Sequence, residues 1–248
     1  MNYNWNWRIF FEMSPDAQGT YLDLLLSGLV WTIVTALCAW VIALAIGSLV
    51  GVLLTLPDEG AGTRLARSLA NGWVELFRNI PLLVQMFLWY FVLPEAVPAP
   101  VGTWLKSLTN APFYTAVVCL GFYVSARVAV QLAAGIESLP RGQRMAGTAI
   151  GLTVPQVYRE ILLPSAFRIV LPPLGSEFLN CVKNTSVALT IGLLELTARA
   201  RAMQEFSFQV FEAFTAATLM YLALNLVVVF LTRRLEAAVA VPGLAGAK

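Results

Sequence analysis

Residues 24–56 read LLLSGLVWTIVTALCAWVIALAIGSLVGVLLTL, a run without a single Asp, Glu, Lys or Arg. A helix needs only about 20 mostly apolar residues to cross the hydrocarbon of a bilayer, so this stretch alone assigns the chain to the membrane. Inside a bilayer each backbone N–H and C=O must find its partner within the protein, which makes helices the expected spanning elements. The whole composition agrees. Apolar residues make up 58% of the 248, charged residues 12%, and mean hydropathy is +0.74, whereas a soluble domain carries about a quarter charged residues. Gly28, Gly47 and Gly51 permit close helix contact within the run, which stops at the turn cluster Pro57-Asp58-Glu59-Gly60.

Working outward, four more stretches meet the same length criterion, at about 69–93, 113–136, 169–194 and 210–231. The expected fold is therefore an all-α polytopic membrane protein with five transmembrane helices in a 24–232 domain, an N-terminal segment over 1–23 and a tail over 233–248. Basic residues in short loops set the orientation. Arg64, Arg67, Arg141, Arg144, Arg159, Arg168, Arg233, Arg234 and Lys248 fall on one side; only Arg8, Lys106, Arg199 and Arg201 fall on the other. This places the N-terminus outside and the C-terminus in the cytoplasm. Trp5, Trp7, Trp73, Trp89 and Trp104 lie near span ends, where interfacial aromatics belong. The N-terminus lacks the basic-then-apolar form of a cleaved signal, so the first span is expected to stay.

Several chemistries drop out. No histidine occurs, which removes His-based triads and His metal sites, and no G-x-x-x-x-G-K-[ST] loop occurs to hold a nucleotide. A net charge of +2 without a basic run gives no hold on nucleic acid. Cys38, Cys119 and Cys181 each sit in apolar stretches as small packing residues.

The most informative polar segment is the cytoplasmic loop 139–168, which contains LPRGQRMAGTAIGLTVPQVYREILLPSA over 139–166. A helix is expected over 141–150, capped by Gly151. A second is expected to start at Thr153, with Gln156 completing a capping box, Pro155 in the first turn and Pro164 closing it. Ala146, Gly147 and Gly151 would leave a ledge of small side chains on which another protein's surface can approach the backbone; a surface hairpin packed on its own neighbours is the other reading.

This loop resembles the cytoplasmic loop of binding-protein-dependent ABC importer permeases, Glu-Ala-Ala, three residues, Gly, nine residues, Ile, one residue, Leu-Pro. Here Gly151 is followed by Ile161 and then Leu163-Pro164, and Ala146 matches the first alanine; Met145 stands where the acid often sits and Gly147 replaces the second alanine. Glu75-Leu-Phe-Arg-Asn-Ile-Pro-Leu-Leu-Val-Gln85 and Lys183-Asn-Thr-Ser-Val187 are similar to hallmarks of the polar amino acid branch. Trp5-Asn6-Trp7, Ala126-Arg127-Val128 and Ser138-Leu-Pro-Arg-Gly-Gln143 resemble its glutamate/aspartate permease subunits.

The resemblance implies a type I ABC importer permease fold in the bacterial inner membrane, without enzymatic activity or a cofactor of its own. ATP would be bound by a cytoplasmic ABC ATPase dimer, which the loop at Ala146, Gly147, Gly151, Ile161, Leu163 and Pro164 would engage. A second, related permease subunit and a periplasmic amino-acid-binding protein would complete the system. Many branch members carry an acid and an arginine in the third span where Val130 and Ala133 stand here.

Charge within a bilayer is costly, about 2.5–3.5 kcal/mol per residue on insertion scales, so the charges that remain face protein or water. Arg127 is the sole charge between Phe113 and Ile136. It suits a two-point contact with a dicarboxylate or an ion pair with Glu75 or Glu177. Glu177, Asn180, Asn184 and Ala188 share one helical face by spacing. Asn180, Asn184, Thr185 and Ser186 suit either substrate or helix–helix hydrogen bonds, and Arg78-Asn79-Ile80-Pro81 suits an anion contact, a gate or a kink. Two further classes, a membrane enzyme built on Glu75 and Glu177 and a channel or secondary transporter using Arg127, Glu177 and Lys183, leave the loop pattern unexplained.

Overall fold

The structure, a computed structural model, describes residues 3–15, 19–58 and 60–239. Expectations resting on Glu59, on Lys248 and on the tail beyond Val239 fall outside those residues, as do the first two residues and 16–18 of the N-terminal segment. Among the described residues the regular structure is helical. A 3-10 turn at Trp7–Phe11 precedes α1 (Tyr21–Thr55), α2 (Ala61–Asn79), α3 (Leu82–Ala96), α4 (Ala99–Ser107), α5 (Ala111–Glu137), α6 (Arg141–Ala149) and α7 (154–184). A 3-10 stretch at Thr185–Ile191 follows, then α8 (Leu196–Ser207) and α9 (Val210–Val239). The α4 and α8 segments are helices where the sequence reads as connection.

Three of these helices, α1, α5 and α9, are long and apolar enough to cross a membrane, and a fourth crossing results if the bent pair α2 and α3 counts as one. The expected span at 169–194 is not in that count. Arg168, Glu177, Lys183 and the pair Pro172-Pro173 keep α7 polar, and it gives way to a 3-10 stretch after Asn184.

Neither Pro94, just past the expected end of the 69–93 span, nor Pro164, expected to close the loop's second helix, ends a helix. The helix runs through Pro94 to Ala96, and α7 runs through Pro164, so the second helix of the loop does not close there but continues to Asn184. In both places a π turn comes first, Leu88–Val92 and Tyr158–Leu162. Leu93 N–H bonds the Leu88 carbonyl and Leu163 N–H bonds the Tyr158 carbonyl, each one residue farther back than in an α-helix. A helical proline clashes with the carbonyl four residues before it. Widening the turn just ahead of each Leu-Pro relieves that clash.

The chain divides into two compact units, each assembled from three segments. In the unit formed by the described residues of 3–39, 81–120 and 180–227, the start of α1, α8 and the start of α9 share a core around Leu25, Leu196, Ala200, Met203 and Ala213. Gly28 makes that packing possible, because a Cβ there would lie 2.9 Å from Leu196 Cα. In the unit formed by the described residues of 40–80, 121–179 and 228–239, the second half of α1 packs on α5, with Val50, Ala70, Val74 and Ala129 at the centre. Gly47 and Gly51 bring these helices to backbone contact: added Cβ atoms would stand 2.7 Å from the Ser125 carbonyl oxygen and 2.9 Å from that of Ala129. Trp73 is half-buried against this interior. It packs on Phe77 and Phe122, and its indole N–H donates to Ser125 Oγ at 3.0 Å.

Candidate functional site

The elbow between α6 and α7 forms as its sequence requires. Gly151 takes φ 89°, a left-handed conformation that an L side chain resists. Leu152 N–H reaches the Gly147 carbonyl at 3.1 Å and Gly151 N–H the Thr148 carbonyl at 3.0 Å, which closes the end of α6. Thr153 N–H then donates to Gln156 Oε1 at 2.8 Å and opens α7.

The expected ledge needs one correction. Ala146 and Gly151 are exposed, but Gly147 is buried on the inner side of the elbow, where a Cβ would lie 2.9 Å from Ile161 and 3.0 Å from Val157. Small size at 147 serves packing within the elbow. Ile161 and Leu163 are half-buried and Pro164 is exposed. Beside the ledge Met145 and Ile150 are 64% and 77% exposed, an apolar pair without cover in the isolated chain. Beneath, the buried Tyr158 hydroxyl donates to the Thr55 carbonyl at 2.6 Å and couples the elbow to the end of α1.

Of the two acids considered for Arg127, the structure selects Glu177: Nη1 to Oε2 is 3.9 Å. Arg127 also donates through Nη2 to the Tyr123 hydroxyl at 3.0 Å and lies over that ring. The pair is loose, since Glu177 Oε2 is buried without a hydrogen bond, while the Arg127 side chain remains 40% exposed. Glu75 is exposed instead and lines a polar groove of about 450 Å³ along α2 with Asp58, Arg64, Arg67, Ser68 and Asn71. Arg78 and Asn79 are exposed at the end of α2.

The expected common face of Glu177, Asn180, Asn184 and Ala188 holds only as far as Asn184; Ala188 lies in the 3-10 stretch and is fully buried. Asn180 and Asn184 are half-buried. Thr185 and Ser186 hydroxyls donate to the carbonyls of Val182 at 2.7 Å and Lys183 at 2.8 Å, so both protons serve the local backbone.

Sequence reasoning missed two buried acids. Glu195 caps α8, accepting from Thr197 N–H at 2.9 Å, Ala198 N–H at 2.8 Å and the Tyr221 hydroxyl at 2.7 Å. Burial holds its carboxyl above the usual range, partly offset by those bonds. Glu212 accepts from the Tyr3 hydroxyl and, at 2.7 Å, from Asn6 N–H, fastening the N-terminal segment to α9. Cap rules favour Ser, Thr, Asp and Asn, so Glu195 carries no such signal. Glu212 sits among the first residues of an apolar run and depends on partners some two hundred positions away in the chain.

A family model described as "Binding-protein-dependent transport system inner membrane component" matches residues 61–241. The chain is similar over its whole length to the glutamate/aspartate import permease protein GltJ of Escherichia coli K12, at 43% identity with all of both chains covered. It is 33% identical to the glutamine transport system permease protein GlnP of the same organism, over 79% of this chain and 85% of the relative. A crystal structure of an amino acid ABC transporter with histidines superposes with TM-score 0.73 at 26% identity, covering 88% of this chain and 95% of that one. The MetNI methionine ABC transporter, inward facing, superposes at TM-score 0.72 and 21% identity over 92% and 100%, which speaks for the fold alone. The chain thus belongs to the binding-protein-dependent transport system inner membrane components, as a non-catalytic permease subunit of an amino acid ABC importer in which a separate ATPase hydrolyses ATP.

Proposed function

We propose that this permease serves an importer of glutamate and aspartate in the bacterial inner membrane. It is read as a five-span subunit with the N-terminus periplasmic and the C-terminus cytoplasmic, paired with a second, related permease. Full-length similarity to GltJ at 43% identity supports the substrate class; relatives named for glutamine and nopaline at 33–34% identity keep the broader amino acid class in view. The exposed elbow carries the mechanical reading: Ala146, Gly151, Met145 and Ile150 offer a small, apolar surface that a cytoplasmic ATPase dimer engages. Closing of that dimer moves the elbow, and Tyr158 passes the motion to α1. A periplasmic binding protein delivers the amino acid, and ATP stays with the partner.

Arg127 is the candidate contact for a side-chain carboxylate, because its exposed guanidinium has only a loose acidic partner. Asn180 and Asn184 are candidate contacts further along the path, with Arg78 and Asn79 at a gate. Thr185 and Ser186 act through the shape of the 3-10 stretch. The test is reconstitution of this chain with its companion permease, ATPase and binding protein. Uptake of labelled glutamate or aspartate should require all four and ATP; uptake by the permease alone would overturn the reading, and ATP-driven uptake confined to glutamine would overturn the substrate.

A further inference from the structure

The connection between α3 and α5 borders a half-open pocket of about 720 Å³, within the 300–1,000 Å³ or so typical of small-molecule sites. Its walls are apolar and aromatic, with Trp89, Tyr90 and Phe91 from the π turn of α3, Trp104 from α4 and Tyr114 from α5. The walls are built. A Cβ on Gly102 would fall 2.1 Å from the Pro94 carbonyl oxygen, so α4 lies directly on the backbone of α3. The charged groups among the lining residues are Lys106 and Glu95, an ion pair with side chains 52% and 70% exposed.

Location narrows the occupant. Residues 97–110 join the ends of two apolar segments, which puts the cavity at a membrane–water boundary, where Trp and Tyr place their apolar rings in acyl chains and their polar atoms among headgroups. Phe91, Trp104 and Tyr114 are 55%, 59% and 50% exposed, so the apolar walls open outward and take an occupant from outside the chain. A free amino acid would match the ion pair but leave the aromatic walls uncovered. An anionic lipid would suit Lys106 but meet Glu95 as a like charge. A zwitterionic phospholipid satisfies both, with phosphate toward Lys106, ammonium toward Glu95 and an acyl chain inside.

We propose that the cavity between α3, α4 and α5 is a binding site for a zwitterionic phospholipid of the phosphatidylethanolamine type. On the topology proposed above the lipid belongs to the periplasmic leaflet. The site would secure α4 against two spanning segments without contributing to the amino acid path.

The assembled transporter, purified and exchanged into equimolar phosphatidylethanolamine and phosphatidylglycerol, tests this by native mass spectrometry. Retained phosphatidylethanolamine should exceed phosphatidylglycerol by about tenfold. Thr115→Trp, which fills the cavity from α5, should remove most of the retained lipid. Glu95→Gln, an isosteric change at an exposed position, should abolish the preference between the two lipids even if the Trp variant assembles poorly. Retention insensitive to both substitutions would overturn the proposal. So would a disulfide formed in high yield between Leu105→Cys and a cysteine on the second permease, since a protein segment would then occupy the space.

Discussion

Arg127 and Glu177 oppose charge at 3.9 Å while Arg127 keeps 40% of its side chain exposed, an arrangement too loose for a mere strut. Glu177 is buried, so removing the guanidinium without replacement would leave a buried acid without its counter-charge, and Gln is the better probe because it keeps a hydrogen-bond donor facing Glu177. Arg127→Gln is expected to lower uptake of acidic amino acids by about tenfold or more while basal ATP hydrolysis falls much less; equal losses in both assays would mark a structural pair. Glu195 makes the opposite case. Its carboxylate is fully buried and accepts from two amides and one hydroxyl, and each buried group left unpaired costs about 1–3 kcal/mol. Glu195→Ala should therefore lower the melting temperature of the purified complex before any transport defect is measured, and an unchanged melting curve would refute the capping role.

At the scale of elements, the elbow was readable because its signals are local. Gly151, Thr153 and Gln156 fix the end of one helix and the start of the next within a few residues, and all three adopt the expected geometry. What misled were prolines. Pro164 read as a stop and the expected span ended at 93, just before Pro94, yet each proline follows a π turn that keeps the helix going, and a one-residue slip of hydrogen bonding has no periodic signature. The packing role of Trp73 was hidden because its partner Ser125 is 52 positions away. The pairing of Arg127 was narrowed to two acids by sequence and to one only by packing. The elbow itself yields a paired prediction. Ala146→Arg is exposed and should keep insertion and stability while reducing ATPase co-purification by about tenfold. Gly147→Leu meets Val157 and Ile161 and should lower stability first; if Ala146→Arg left the ATPase bound, docking at this ledge would be wrong.

For the molecule as a whole, the open question is what surrounds α7. The exposed apolar side chains of α9, among them Leu222, Leu226 and Phe230 at 53–59% exposure, match a surface that lipid covers. The exposed positions of α7 differ, for Ser176 and Lys183 are polar, and a charged side chain against hydrocarbon costs about 2.5–3.5 kcal/mol on insertion scales. A five-span permease resolves this if α7 faces a watery path in the assembled transporter. In a background without Cys38, Cys119 and Cys181, cysteines at 176 and 183 should react with a membrane-impermeant thiol reagent, with rates that change when ATP is added. Cysteines at 222 and 226 should stay unreactive under the same conditions. Equal inertness of both sets would remove α7 from the path, and with it the reading in which Glu177, Asn180 and Asn184 border the moving substrate.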